Sequence, residues 1–359
     1  NLADGNPDHG LLPDLGIALR TIAADHVRYG QDPIDERLGR LFVADLSPDL
    51  AGHRGHDVIP GETLAVVAGA LDGIERTLAA HLRPGDRVGV EDPGYAAVIQ
   101  LVKALNLRPV AVPIDDAGPQ PEGVADALAQ GIRALIVTPR AQNPTGAAIT
   151  ADRAAILADL LADHPDVLLI EDDHAGPVAG APYHSLIPAA ADRWAVIRSV
   201  AKSLGPDLRL AALVADRTTH GRVANRQLLG TGWVSHLLQR TVAALLDPMG
   251  PAPAPADRFV TAAETYRARR AHLLNALDLH GIPATGPSGL NVWVPVPDEG
   301  AVVAALQQRG YAVLAGARFR LLSGPAIRIS TGSATEVQLD GVANALGEAL
   351  ATGPAGRSV

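Results

Sequence analysis

Ser199-Val200-Ala201-Lys202-Ser203-Leu204-Gly205-Pro206-Asp207-Leu208-Arg209 decides the reading of this chain. An apolar run, Trp194–Ser199, leads into it and reads as a buried strand. Lys202 then sits in a turn of small residues, and a cation follows at Arg209. Open α/β sheets place ligands at the carboxyl ends of their strands. A lysine there, among residues that let a ligand approach, is a candidate amine nucleophile.

Upstream stretches supply the other parts. Asn143-Pro144-Thr145-Gly146 is a turn that offers an amide donor. Ile170-Glu171-Asp172-Asp173 ends an apolar run, and strand alternation lets only one of its acids, Asp172, face a ligand. Gly69, Ala70 and Leu71 open a helix whose first N–H groups suit a phosphate, together with Ser199 and Arg209. Tyr95, after Pro93-Gly94, can stack on a flat ring. An amine, a carboxylate for a ring nitrogen and phosphate donors are together the requirements of a pyridoxal 5'-phosphate (PLP) site. Arg328 lies in the apolar strand Ala326–Ser330, where an unpaired cation is costly; its expected partner is a substrate carboxylate.

Between these stretches, strands and helices alternate. Strands are expected at 87–91, 108–113, 134–138, 166–171, 194–199 and 210–215, and helices at 96–105, 124–131 and 151–164. Continuous Val/Ile/Leu/Ala strands imply an α/β fold, a mostly parallel sheet with helices on both faces. Residues 63–82 read as a loop, the Gly69 break and a helix. A helical pattern runs to about Ala44, and Arg54–Pro60 reads as a polar turn. Pro248–Pro255 has linker composition. Beyond it, a helix over 257–280, strands at 289–296, 311–314 and 326–330 and a helix at 300–309 make a smaller C-terminal α+β domain. The expected division is an N-terminal arm at 1–30, a large domain at 31–250 and a small domain at 251–359.

Bulk composition narrows the function. The 359 residues are 47% hydrophobic but 3% aromatic, so the core is aliphatic. A net charge of −9 argues against nucleic acid bound by this chain itself. Cysteine is absent, which excludes disulfides, thiolate metal sites and a Cys nucleophile; no metal is expected. No apolar run reaches membrane-span length and no signal peptide is visible, so the expectation is a cytoplasmic protein with no membrane contact. The chain opens on Asn1 and not on Met, so an upstream segment is expected.

The chain resembles fold type I PLP enzymes, the aspartate aminotransferase superfamily, along nearly its whole length. It is most similar to the aminotransferase-like domain of MocR regulators, a branch of the GntR family. Glu91-Asp92-Pro93-Gly94-Tyr95, Glu171-Asp172-Asp173 and Ser199 to Arg209 carry that likeness. The resemblance implies a Schiff base at Lys202 and an upstream winged-helix domain. It also implies a homodimer with its sites at the interface, where Tyr29 reaches the partner's phosphate. His174 stands where the family usually has a tyrosine that bonds the cofactor's phenolate oxygen; an imidazole there can still donate, but titrates near neutrality. Three functions stay open: an aminotransferase acting on an amino acid and a 2-oxo acid, a PLP- or amine-sensing effector domain, and PLP-dependent elimination or replacement.

Overall fold

The computed structural model describes residues 1–23, 25–54, 63–189, 191–250 and 255–352. Its main sheet has eight strands: β1 (Leu64–Val67), β2 (Arg87–Asp92), β3 (Arg108–Asp115), β4 (Gly118–Pro119), β5 (Ala134–Val137), β6 (Leu168–Asp173), β7 (Trp194–Ser199) and β8 (Ala211–Ala215). Their spatial order is β1-β8-β7-β6-β5-β2-β3-β4. β3, β2, β5, β6 and β7 run parallel, while β8, β1 and β4 pair antiparallel. The sheet is therefore mostly parallel, as the apolar runs predict.

Helices cover both faces. Those of the first 250 residues are α1 (Leu15–Leu19), α2 (Glu36–Arg54), α3 (Ala70–His81), α4 (Ala96–Ala104), α5 (Pro121–Ala129), α6 (Ala151–Ala162), α7 (Arg217–Leu228) and α8 (His236–Leu246). Alternate residues of each central strand enter opposite cores. On one face Ile170 and Ile197 pack with Ile74 and Leu78 of α3. On the other, Leu169 and Val196 pack with Phe42 and Leu46 of α2. Each such side chain contributes about 1.5–3 kcal/mol on full burial, which fixes the strand register and with it the residues at the strand tips.

The C-terminal unit holds α9 (Pro255–Asp278), β9 (Asn291–Pro295), α10 (Glu299–Gln308), β10 (Leu314–Ala315), β11 (Ala326–Ser330) and α11 (Glu336–Thr352). Its three strands are antiparallel in the order β10-β11-β9. No helix among the described residues is long and apolar enough to cross a membrane.

Four regions differ from the sequence expectations. Residues 64–67 are a fully buried strand and not a loop, because Leu-Ala-Val-Val pairs along β8. The early helical pattern forms two separate helices, Leu15–Leu19 and Glu36–Arg54, and α2 continues past Ala44 with Pro48 inside it. α7 and α8 occupy a stretch with no assigned element; α7 is polar and buries only Thr219, Val223 and Gln227. α11 follows the last strand and packs with α9. Of the expected turn at 54–60, all but Arg54, and residues 251–254 of the 248–255 linker, lie outside the described residues.

The N-terminal residues lie on their own chain. Leu2 is buried in the core of the small unit; its N–H donates to Ala312 O at 2.8 Å and its carbonyl accepts from Ser330 N at 2.8 Å. Asp8 pairs with Arg269 of α9 at 2.8 Å.

Candidate active site

The parallel strands end along one edge, and most of the predicted residues gather there. Lys202 lies in the turn after β7, partly buried, and Nζ donates to the carbonyl of Gly5. Burial, then the charge of Arg328, lowers its amine to about 8. Lys202 lines a cavity of about 170 Å³ with Ala70, Leu71, Tyr95, Asn143, Asp172, His174, Ser199 and Arg209.

The tips of β6 and β7 separate two environments. Asp172 is on the α3 face with Ser199, and its Oδ1 is buried without a hydrogen-bond partner. Burial, with the nearby charges of Asp173 and Glu91, raises its carboxyl to about 7. Asp173, one residue on, faces α2. Although burial opposes its charge, Arg198 and Arg140 hold its carboxyl well below the usual range. The ion pairs are 2.6 Å to Arg198 and 2.9 Å to Arg140, and Arg198 also reaches Asp45 at 3.0 Å and Asp49 at 2.5 Å. Glu171 shares that face and accepts from Tyr183, Ser185 and Leu186. The middle acid of the three thus faces the cavity, and alternation was the right guide.

The anion-binding end is built from α3 and Arg209. Gly69 caps α3 at φ 92°, a conformation that favours glycine. A Cβ there would come within 2.8 Å of Arg209 Nη2, so the Arg209 guanidinium lies directly against Gly69. Arg209 donates to Ala68 O at 3.5 Å and makes no ion pair with Asp207 among the described residues. Arg209 is exposed and Ser199 Oγ accepts only from Ala201 N, so both can donate to a further oxygen.

Arg328 reaches the same site from the small sheet. It is 4% exposed and touches no carboxylate among the described residues. Nη1 donates to Asn143 Oδ1 at 3.0 Å, Nη2 to the carbonyl of Ala3, and Nε to nothing. The guanidinium lies 5.0 Å from the Phe319 ring, which meets Trp293 edge-to-face. Because Asn143 Oδ1 is taken by Arg328, its amide N–H groups remain as donors.

His174 departs from expectation. Its Nε2 lies 2.8 Å from Ala141 O, which can only accept, so Nε2 carries the proton. Burial, then the charge of Lys202, lowers the imidazole to about 4. The ring is neutral near pH 7, and its remaining nitrogen is an acceptor. The sequence expectation is a ring that titrates near neutrality; here burial holds it lower and its Nε2 is engaged by Ala141 O. Tyr29, expected at a partner's site, does not line this chain's own cavity: it is 93% exposed and meets Trp233 edge-to-face at 5.6 Å.

Sequence reasoning missed Gly5, Ala141, Ala175, Pro206, Leu290 and Asn291, which also line the cavity. Gly5 comes from the N-terminal segment and Asn291 from β9 of the small unit, both far in sequence from Lys202. Ala141 carries a signal only in retrospect. It adopts φ 55°, and a Cβ on Gly289 would come within 2.6 Å of it, so the turn bearing Asn143 is pressed against the small unit. Arg270 braces that contact through the carbonyls of Gly286, Pro287 and Gly289.

The chemistry of these donors fits PLP. The orphaned Asp172 oxygen suits a protonated ring nitrogen, and the Gly69–Arg209 cradle suits a phosphate. The sequence model of the class I and II aminotransferases matches residues 35–346. The vitamin B6 salvage pathway transcriptional repressor PtsJ of Salmonella typhimurium (strain LT2) is 36% identical over 356 residues, 98% of this chain and 79% of that protein. The pyridoxine biosynthesis transcriptional regulator PdxR of Corynebacterium glutamicum is 33% identical over 219 residues, 60% of this chain and 46% of the regulator. This chain thus spans about four-fifths of one regulator and about half of the other. In fold, it superposes on the kynurenine aminotransferase of Pyrococcus horikoshii with a TM-score of 0.84 at 21% identity, covering 97% of this chain and 90% of that one.

Proposed function

The chain belongs to the class I and II aminotransferase family, and from that premise we propose that it is the PLP-binding, ligand-sensing part of a MocR-type transcriptional regulator. Pyridoxal phosphate is the cofactor. When bound, it supplies an aldehyde that bonds to an amine and a ring that withdraws electrons. Lys202 would hold the aldehyde carbon, its amine made available near neutral pH by burial. Asp172 holds the ring-nitrogen proton. Arg209, Ser199 and the first N–H groups of α3 bind the phosphate. Asn143 donates to the ring oxygen, Tyr95 covers the ring, and Arg328 takes the carboxylate of an amino acid.

One observation carries the choice of sensor over enzyme. His174 gives its proton to Ala141 and presents a neutral acceptor where the catalytic pattern has a donor. Similarity to a repressor over 98% of the chain supports the same reading. A catalytic reading is favoured by the amine of Lys202, which at about 8 is suited to moving a proton. Under that reading the chain transfers amino groups between amino acids and 2-oxo acids.

The test is direct. PLP-loaded protein is incubated with a panel of amino acids and 2-oxo acids, and pyridoxamine phosphate is assayed. The sensor reading expects amino acids to bind and alter the visible absorbance without net conversion; multiple turnovers overturn it. The assembly we propose is a two-fold homodimer, with Tyr29 contributing to the partner's site. Light scattering that gives a monomer at micromolar concentration with PLP bound overturns that part.

A further inference from the structure

Asn291 opens β9 opposite Ser330 of β11, and two residues along, Trp293 lies opposite Arg328. Cross-strand partners share a face, and so do alternate residues of a strand. Asn291, Trp293, Ser330 and Arg328 therefore project from one side of the small sheet. Asn291 lines the cavity with Lys202 and Asp172. It is 5% exposed, and its Oδ1 is buried with no donor.

An amide oxygen in that condition is costly unless something supplies a proton to it. The polar neighbours are committed elsewhere. Ser288 donates its hydroxyl to Gly146 O at 2.6 Å. Arg270 spends its donors on the carbonyls of residues 286, 287 and 289. Arg328 gives Nη1 to Asn143 and Nη2 to Ala3. Two unmet groups thus stand on one face of the small sheet: a donor, Arg328 Nε, and an acceptor, Asn291 Oδ1. The PLP contacts assigned above fall on the large sheet and leave both unmet.

Resting on the ligand pocket of the previous section, we propose that Asn291 is a specificity-determining residue that selects amino acids bearing a side-chain hydrogen-bond donor. The carboxylate goes to Arg328, the amine to the Lys202 side, and a hydroxyl or amide N–H to Asn291 Oδ1. Three points of contact also fix the hand of the ligand.

The experiment uses PLP-loaded protein and two near-isosteric pairs, L-serine against L-2-aminobutyrate and L-homoserine against L-norvaline, with binding followed by absorbance and calorimetry. The hydroxyl member of at least one pair is expected to bind about tenfold tighter, the scale of one net hydrogen bond. Asn291→Leu is expected to erase that preference while PLP affinity and the aliphatic member are retained. Asn291→Asp places a carboxylate beside Arg328 and is expected to abolish binding of amino acids but not of simple amines. Without cofactor or ligand, Asn291→Leu is expected to raise the melting temperature, because it removes a buried polar group with no partner. A preference absent from the wild type, or intact in Asn291→Leu, overturns the proposal, as does a lowered melting temperature with normal PLP binding. Failure of the wild type to bind PLP at all would instead overturn the reading of the pocket, and the melting comparison can still be made.

Discussion

Asp172 and Asp173 are consecutive, equally buried and chemically identical, yet they serve opposite ends. On the α2 side, Asp173 has two guanidinium partners, and one of them is shared with Asp45 and Asp49. On the α3 side, Asp172 has an oxygen with nothing to bind. One side of the strand tips is saturated and holds the fold together. The other is left unsatisfied, and it is the side that faces the cavity. Two of the side chains that line this cavity, Asp172 and Asn291, carry a buried oxygen without a hydrogen-bond partner.

The largest expected effect tests the saturated side. Asp173→Ala leaves Arg140 and Arg198 short of a buried partner, a loss of about 3–5 kcal/mol. Chemical denaturation of the unliganded protein should read it, and a loss under about 1 kcal/mol would break the contrast. Asp173 points away from the cavity, into the ion-pair network beside its neighbour.

Asp172→Asn should behave in the opposite way. Unliganded stability at about pH 8 is unchanged or higher, since a buried ionisable group without a partner is removed. PLP affinity falls by about 1.5–3 kcal/mol, the range for a hydrogen bond to a charged group. A titration with PLP beside a melting curve separates the two outcomes. Arg328→Ala belongs to the same side. It should weaken amino acid binding over the same range, leave PLP bound and spare simple amines.

Much of this was legible beforehand. Strand Trp194–Ser199 has the bounds read from its apolar run, because each residue of it is buried. Lys202, Asp172, Asn143 and Arg209 converge because their motifs lie at parallel strand ends, where spacing and topology act together. What failed had weak local signals. β1 is four residues long, and α7 lies on the surface with little apolar face to announce it. The state of His174 could not be read from its neighbours in sequence, since the carbonyl that takes its proton belongs to Ala141.

A smaller effect spans both sides. Burial raises Asp172, Glu91 and Glu171 each to about 7. The folded protein then keeps protons that the unfolded chain releases near pH 4. Their stabilising share is complete below that pH and is lost as pH rises through about 7. Unliganded protein should therefore melt at progressively lower temperature between about pH 5 and pH 8, and Asp172→Asn should flatten part of that slope. A slope unchanged by the substitution would show that Asp172 is ionised across the range.

The smallest effect concerns His174. With its imidazole lowered to about 4, the ring stays neutral through the physiological range. His174→Asn should leave the pH profile of the PLP absorbance above about pH 5 unmoved. A shifted midpoint near pH 6–7 would return His174 to the titrating group expected from sequence.

The stack of Trp293 and Phe319 beneath Arg328 has an optical consequence. The chain has three tryptophans in 359 residues. Trp194 is buried in β7 within the main sheet, Trp233 lies against the exposed Tyr29, and Trp293 lies opposite the cation assigned to the ligand's carboxylate. Ultraviolet emission is therefore divided among three separate neighbourhoods. Replacing Trp194 and Trp233 by Phe would leave one indole whose spectrum reports the Arg328 side of the cavity, with no label attached.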